Sequence, residues 1–270
     1  MTAELIKAGD SGVLYRRWGP AQPEAVLLLV HGLGAHSARW DFLAEFFAPK
    51  GYRSYAIELK GFGQTPDRPR GHIDSFDIYY RDILALLDLI KKENPGKKVF
   101  VLGESMGALI SFLVADNFAG QILISPAFAN GMKFPLSAYL TLAAFILVDP
   151  KRTVPVPFTS AMCTRDAAYQ KVMDHNPDEL RVASLKLLMN VLFAQLRAKS
   201  LAGKVKAPTL FLLSGKDLLV DESAGRKVFE NLKMQDKTKI EYPDMLHALS
   251  IELGREKVFN AILAWLDKRV

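Results

Sequence analysis

Cysteine is almost absent from this chain, since Cys163 is the only one in 270 residues. A single cysteine cannot form an intrachain disulfide or a thiolate metal cluster, and it fits a reducing compartment. The longest apolar-rich stretch, 136–148, is shorter than the about 20 residues that a membrane-spanning helix needs. Residues 1–18 lack a basic start followed by an apolar core, so we expect no signal peptide and a cytoplasmic location.

Clustered charge of one sign is also lacking. The chain has 35 basic and 29 acidic residues, a net charge of +6, and the basic residues are scattered. A nucleic-acid surface would need a basic stripe with interleaved aromatics, so we expect no nucleic-acid partner. The small positive surplus leaves open a transient contact with an anionic membrane or micelle surface. Repeats and low-complexity tracts are absent, and half of the residues are hydrophobic, enough for one large core.

Short apolar runs alternate with amphipathic segments along most of the chain. The runs predict strands at 25–30, 52–57, 98–102, 121–125, 208–213 and, more weakly, 238–242, with an N-terminal hairpin within 4–18 at one edge. The segments between them predict helices at 37–48, 75–93, 106–117, 222–232 and 254–268. The central runs do not alternate with polar residues, which is typical of parallel strands covered on both faces. The order predicts an α/β fold with a mostly parallel, doubly wound sheet.

One segment interrupts this alternation. Residues 126–206 show no strand pattern, several prolines, and two predicted helices at 136–148 and 178–200, the second starting at Asn176-Pro177-Asp178. An insertion that directly follows a strand is expected to lie over the end of the sheet. We therefore predict a core of residues 1–125 and 207–270, with a helical cap of residues 126–206 inserted after the sixth strand.

A serine lies between two glycines where a predicted strand meets a predicted helix. Gly103-Glu104-Ser105-Met106-Gly107 matches G-x-S-x-G, the pattern of a nucleophile elbow. The glycines are expected to let the backbone turn sharply and to keep neighbouring atoms away from Ser105. The alternative is a plain turn with a capping serine. The context of strand and helix favours a nucleophile at the helix N-terminus.

A nucleophilic serine needs a histidine base and an acid that orients it, in the chain order serine, acid, histidine. Asp217 directly follows the strand at 208–213, and His247 lies on the loop after the strand at 238–242. Both would lie at the carboxyl edge of the sheet. We therefore predict Ser105, Asp217 and His247 as catalytic residues. The rival acids are Asp221, Glu222 and Asp244.

The reaction also needs two backbone N–H groups directed at the developing oxyanion. We expect one from Met106, which follows the nucleophile, and one from Leu33, in the loop after the first apolar run. Gly32 and Gly34 in this loop lack the third glycine of a dinucleotide fingerprint, so a nucleotide cofactor is not expected. No metal or organic cofactor is required.

With these motifs in place, the sequence resembles the α/β-hydrolases, and within them the monoacylglycerol lipase and lysophospholipase group of the serine-aminopeptidase-like branch. The resemblance runs from about residue 27 to the C-terminus, through HGLGAHSARW, GFGQTPDRPRGHIDSFDIYYRDI, LGESMGA, LSGKDLLVD and MLHAL. It implies the same triad and oxyanion donors, and a lid that shapes an acyl channel. We interpret His36 and His72, which lie within these segments, as side chains that hold their loops in place.

Two departures from the resemblance stand out. Glu104 lies where histidine is usual, and ELKGFGQT lacks the usual Asp and Arg before its Gly-x-Gly. A glutamate beside the nucleophile is expected either to be exposed or to disfavour anionic substrates. Neither departure changes a predicted catalytic residue.

The apolar residues of the cap suggest a substrate pocket as well as helix packing. We expect an acyl pocket lined by Gly32, Leu142, Phe145, Leu188 and Leu218, with the helix at 136–148 able to touch a lipid surface. The predicted function is a serine carboxylester hydrolase acting on monoacylglycerols or small to medium-chain esters.

Other functions remain open at this stage. A lysophospholipase, or an aminopeptidase or amidase, would use the same chemistry, and a small-molecule receptor would use the same fold without turnover. A fold member with an aspartate nucleophile, such as an epoxide hydrolase or dehalogenase, is disfavoured because the elbow residue is serine.

Overall fold

A twisted sheet forms the centre of the molecule, seen in a computed structural model that describes residues 3–9, 11–132, 145 and 148–270. The described residues form ten strands: β1 Ile6–Ala8, β2 Val13–Trp18, β3 Ala25–Val30, β4 Tyr52–Glu58, β5 Val99–Glu104, β6 Gly120–Ile124, β7 Thr153–Pro155, β8 Val182–Ser184, β9 Thr209–Ser214 and β10 Lys237–Tyr242. Eight of them build one sheet in the order β1-β2-β4-β3-β5-β6-β9-β10. The pairs from β4 to β10 are parallel, and β2 pairs antiparallel with both β1 and β4.

Helices follow the parallel strands and cover both faces of the sheet. The described α-helices are α1 Asp41–Phe47, α2 Phe76–Glu93, α3 Met106–Val114, α4 Ser160–Cys163, α5 Ala167–His175, α6 Leu185–Leu201, α7 Glu222–Asn231 and α8 Arg255–Leu266. A 3₁₀ turn, Ser37–Trp40, leads into α1. These elements confirm the predicted strands, helices and N-terminal hairpin, with ends that differ by at most four residues.

The sheet has a separate apolar core on each face, and β3 shows how the sequence builds both. All six of its residues are buried. Val26, Leu28 and Val30 pack on one face against α2 and α3, whereas Ala25, Leu27 and Leu29 pack on the other face against α1 and α8. Because successive side chains of a strand point to opposite faces, a run without polar residues is needed where both faces are covered.

The insertion, residues 126–206, differs from its sequence-based prediction. The prediction of no strand there is wrong, because β7 and β8 form a two-stranded antiparallel sheet. The predicted helix at 178–200 begins later, at Leu185, since Val182–Ser184 is taken up by β8 and the Ser184 hydroxyl accepts the Leu187 N–H as the N-cap. The predicted helix at 136–148 lies almost wholly outside the described residues.

The insertion leaves and rejoins the sheet between neighbouring strands, because β6 pairs directly with β9. Its α6 packs against the core next to α3, with Leu187 and Ala198 fully buried. The buried Gln195 side chain donates a hydrogen bond to the Ala127 carbonyl, just past the end of β6. Among the described helices, none is both long enough and apolar enough to span a bilayer.

Candidate active site

Ser105 occupies the junction between β5 and α3 in a backbone conformation that is costly for a side chain. Its φ is +59° and its ψ is −120°, a region that non-glycine residues seldom adopt unless the surroundings hold them there. Three hydrogen bonds do so: the Ser105 N–H donates to the Ile124 carbonyl at 2.9 Å, and the Ser105 carbonyl accepts from Leu109 and Ala127 at 3.1 and 3.2 Å. The hydroxyl does not cap α3, which argues against the alternative of a capping serine.

The glycines that flank the serine allow close packing at the turn between β5 and α3. The positive φ belongs to Ser105, and neither Gly103 nor Gly107 has one. A Cβ on Gly103 would lie 2.4 Å from the Gly107 carbonyl oxygen, and a Cβ on Gly107 would lie 2.1 Å from the Val30 carbonyl oxygen. Ser105 thus has the positive φ of the turn, Gly103 lets the strand and the helix close against each other across the turn, and Gly107 lets α3 approach β3.

His247 and Asp217 form a buried pair on the loops that follow β10 and β9. The Nδ1 atom of His247 lies 2.7 Å from Oδ2 of Asp217, and the two side chains are only 6% and 1% exposed. The other oxygen, Oδ1, accepts the backbone N–H groups of Leu219 and Val220 at 2.8 and 3.0 Å. The carboxylate is thus fixed by three donors, and it fixes the imidazole with Nδ1 as the donor.

The environment of His247 favours its protonated form. Burial by itself lowers the pKa of the imidazole, but the charge and hydrogen bond of Asp217 outweigh burial, and Glu104 adds to them while Arg39 opposes. The net result is a raised pKa. With Nδ1 committed to Asp217, the neutral imidazole has its lone pair at Nε2, where it can accept a proton.

The rival acids are occupied elsewhere. Asp221 caps α7 by accepting the Ser223 N–H, and Glu222 pairs with Arg226 at 2.8 Å. Asp244 pairs with Lys216 at 3.1 Å on the exposed surface. Of the four acids weighed from the sequence, Asp217 is therefore the one that the structure joins to His247.

Glu104 links the strand that bears the nucleophile to the loop that bears the histidine. Its side chain is buried, and it accepts the Ser250 N–H at 3.0 Å on Oε1 and the Ser250 hydroxyl at 2.9 Å on Oε2. The expectation of an exposed carboxylate is wrong. Its partner is 146 residues away in the sequence, so no local pattern could have indicated the contact.

The loop after β3 lies against the serine. A Cβ on Gly32 would be 3.1 Å from the Ser105 Cβ, so the backbone of this loop approaches the serine closely. His31 holds the loop in place, because its Nδ1 donates to the Gly32 carbonyl at 2.9 Å and its Nε2 accepts the Leu59 N–H at 3.1 Å. Burial lowers the pKa of His31 to about 4, and the neutral ring matches this donor and acceptor pattern.

Polar contacts join the site loops to the insertion. His36 Nε2 lies 3.1 Å from the Asn176 amide nitrogen, and His72 Nδ1 lies 2.9 Å from the Ser184 hydroxyl. Arg39 makes two hydrogen bonds to the Glu179 carboxylate, at 2.5 and 2.6 Å. The sequence analysis missed this last pair, whose members are 140 residues apart.

The predicted pocket residues have different surroundings. Gly32 contacts the serine, and Leu188 on α6 is half-buried against the core. Leu218, next to Asp217, is exposed. Phe145 is also exposed, with the Arg152 guanidinium 4.4 Å from its ring centre. Leu142 lies outside the described residues.

Comparison with known proteins identifies relatives over nearly the whole chain. Residues 21–254 match the family model "Serine aminopeptidase, S33". Human monoglyceride lipase is 31% identical over 98% of this chain and 90% of its own, and Bacillus subtilis phospholipase YtpA is 28% identical over 94% and 99%. The crystal structure of Paleococcus ferrophilus monoacylglycerol lipase superposes with a TM-score of 0.84 at 28% identity, covering 96% of this chain and 99% of that one. These likenesses confirm the predicted α/β-hydrolase fold.

Proposed function

This chain belongs to the serine aminopeptidase S33 family of α/β-hydrolases and is an ester hydrolase, and we propose that it cleaves monoacylglycerols through an acyl-enzyme on Ser105. The observation that carries the mechanism is the buried His247–Asp217 pair, held at the same sheet edge as a serine with a positive φ. Parallel strands β5, β9 and β10 place all three residues at their carboxyl ends. The Glu104–Ser250 contact brings the serine strand and the histidine loop together.

In the first half of the reaction, the Ser105 Oγ attacks the ester carbonyl carbon while its proton passes to Nε2 of His247. The tetrahedral intermediate then breaks its bond to the leaving alkoxide, which takes the proton from His247 and departs as an alcohol. In the second half, His247 takes a proton from water, the hydroxide attacks the acyl carbon, and the proton returns to Ser105 as the carboxylic acid leaves. Asp217 keeps the imidazole oriented and stabilises its charged form throughout.

We assign the oxyanion hole to the backbone N–H groups of Leu33 and Met106. Met106 is the first residue of α3, and the first N–H groups of a helix have no partner within the helix. Leu33 follows Gly32, whose close approach to Ser105 directs this loop toward the reacting carbonyl. Both donors would then face the charge that develops in the transition state.

We further propose that residues 1–125 and 207–270 act as the catalytic core and residues 126–206 as a cap over the carboxyl edge. The contacts of His36, Arg39 and His72 with the insertion support this division. In this arrangement Gly32, Phe145, Leu188 and Leu218 surround the acyl chain, and the fifth predicted pocket residue, Leu142, lies outside the described residues. The names of the relatives, which include monoglyceride lipases and a phospholipase, favour a lipid ester as the substrate.

An aminopeptidase activity finds less support in the geometry. A free substrate amine would need an acidic side chain available in the insertion, but four of its five candidates already have partners. These are Asp166, which caps α5, Asp174 with Ser160, Asp178 with Gln64, and Glu179 with Arg39. The fifth, Asp149, belongs to an exposed stretch. The observation therefore favours esters over peptides.

We propose a cytoplasmic protein whose cap touches lipid surfaces transiently. Leu192, Phe193 and Leu196 on α6 are each more than half exposed, and the exposed residues Arg197 and Lys199 lie on the same helix. Apolar side chains beside basic ones suit the boundary of an anionic bilayer.

Hydrolysis of a substrate panel tests the proposal. We expect steady release from p-nitrophenyl butyrate and from a monoacylglycerol, with much slower release from lysophosphatidylcholine and from an aminoacyl p-nitroanilide. Ser105→Ala should abolish turnover, and Asp217→Asn should lower kcat by about 10³–10⁴-fold because the imidazole loses its orientation. Turnover that survives in Ser105→Ala would contradict the mechanism, and a preference for the anilide would contradict the substrate class. Absence of turnover on every ester would indicate a binding protein instead.

A further inference from the structure

Glu104 is a buried acid that the reaction described above does not use. It is the last residue of β5 and directly precedes Ser105. Each carboxylate oxygen accepts one hydrogen bond, and both donors belong to Ser250. A carboxylate that is taken out of water is expensive unless its surroundings compensate for the lost hydration. A neutral acceptor could bind the same serine, so the charge itself needs a reason.

Ser250 belongs to the loop that carries the histidine. The loop is tightly wound, since Leu249 donates its N–H to the His247 carbonyl at 3.1 Å and Ile251 donates to Ala248 at 3.0 Å. Fixing Ser250 from the strand of the nucleophile therefore fixes the backbone from which the imidazole projects. A misplacement of about 1 Å between reacting groups can lower a rate by about 10²-fold.

The charged groups around the imidazole explain the negative charge on Glu104. Asp217 and Glu104 raise the pKa of His247, whereas burial and Arg39 lower it. The charge of Arg39 is already matched by Glu179 from the insertion. Burial raises the pKa of Glu104, and this pKa stays above its ordinary value although Ser250, His247 and Arg39 all lower it. The cation that Glu104 can stabilise further is thus the imidazolium formed during each half-reaction.

We propose that Glu104 is a positioning residue for His247, which anchors the histidine loop through Ser250 and places a second negative charge beside the imidazole. The proposal rests on the function proposed above for Ser105 and His247. It predicts two separable effects, one on the rate through the anchor and one on the pH profile through the charge.

Three variants separate these effects. Glu104→Gln keeps an oxygen for the Ser250 N–H and removes the charge, Glu104→Ala removes both, and Ser250→Ala keeps the charge and removes one anchor bond. Each is assayed on p-nitrophenyl butyrate from pH 5 to 9, with kcat divided by the active sites that a phosphonate titrates. That correction, with the thermal midpoint of each variant, removes any contribution from unfolded protein.

Loss of the charge lowers the pKa of His247, so the acidic limb of kcat/KM should move to lower pH. We expect a shift on the order of half a unit in Glu104→Gln, hence a gain of about threefold in kcat/KM on the acidic side. Glu104→Ala should show the same shift, a kcat at least about tenfold lower, and an unchanged KM. Ser250→Ala should lower kcat without moving the limb.

Two results would overturn the proposal. One is an acidic limb that stays in place in Glu104→Gln, and the other is a full kcat per titrated site in Glu104→Ala. Both are distinct from failure of the proposed function, which would appear as no turnover by the unmodified protein or as turnover that survives Ser105→Ala.

Discussion

The Arg39–Glu179 pair should be a main support of the join between core and insertion. Arg39 lies in the 3₁₀ turn after β3, and its guanidinium meets the carboxylate with both distances at or below 2.6 Å. The two side chains are 9% and 3% exposed. Arg181 and His36 face the same carboxylate, each at 3.6 Å. Replacing Glu179 with glutamine would leave a buried guanidinium without its counter-charge.

The size of the effect follows from this burial. Removing one member of a buried ion pair costs about 3–5 kcal/mol, because the remaining charge stays buried. For a domain of this size, 1 kcal/mol corresponds to about 2–4 °C in Tm, so Glu179→Gln should melt roughly 6–20 °C below the parent. The double variant Arg39→Met/Glu179→Leu should melt near the parent or above it, because an apolar pair of similar volume removes both charges.

The dependence on pH gives an independent check. Burial alone would raise the pKa of Glu179, but Arg39, His36 and Arg181 outweigh it, so the folded-state pKa lies below its ordinary 4.5. A carboxyl with a lowered pKa stabilises the fold above its ordinary value, and that contribution is lost as the pH falls through the folded-state pKa. The gap in stability between the parent and Glu179→Gln should therefore be full at pH 7 and shrink in acid.

Differential scanning calorimetry at pH 7 and in acid measures both quantities. The reasoning is refuted if Glu179→Gln lies within about 1 kcal/mol of the parent at pH 7, the range of an ordinary exposed pair. It is also refuted if the double variant is less stable than Glu179→Gln.

Three shorter predictions concern the site and its packing. Gly32→Ala should lower kcat about tenfold, because its Cβ would lie 3.1 Å from the Ser105 Cβ; an unchanged kcat per titrated site contradicts this. Gly107→Ala, which places a Cβ 2.1 Å from a β3 carbonyl oxygen, should destabilise the fold strongly. Gly225→Ala inside α7, whose Cβ would lie 3.4 Å from its nearest atom, should raise stability by up to about 1 kcal/mol. Similar melting temperatures for the two variants would contradict this prediction. The acidic limb of kcat/KM should have a midpoint above the ordinary 6.5 of histidine. Burial lowers the pKa of His247, but the effect of Asp217 in raising this pKa is larger. A pH–rate profile with a lower midpoint contradicts this prediction.

The strands and helices were predictable because their signals are local. Buried parallel strands such as Ala25–Val30 need apolar residues on both faces, and this need produces short runs without polar residues that the sequence shows directly. The elbow was predictable as well, because a strand, G-x-S-x-G and a helix follow one another directly. Local signals did not reveal β7 and β8, three residues each, since such short strands depend on a partner from elsewhere in the chain.

Contacts between distant residues were the part that the sequence could not give. In the sequence alone, Glu104 and Arg39 look like ordinary surface charges. Their burial follows from contacts with Ser250 and Glu179, which are far away in the sequence. The sequence indicated the glycines of the elbow but not all of their contacts. Gly103 is required by the close approach of α3 across the turn, Gly107 by the close approach to the end of β3, and the positive φ belongs to Ser105.

Because β6 pairs directly with β9, the insertion between them can differ in length without a change in the position of either strand. The chain leaves the sheet at Ile124 and returns at Thr209, on the strand next to it. Closing a loop between two such fixed points costs only about 0.6 kcal/mol more for each doubling of its length. A change of length is therefore expected to cost little stability where it leaves α6 packed on the core and Glu179 paired with Arg39. If the insertion forms the acyl pocket as proposed, such a change is expected to alter the acyl-chain preference and to leave Ser105, Asp217 and His247 in place.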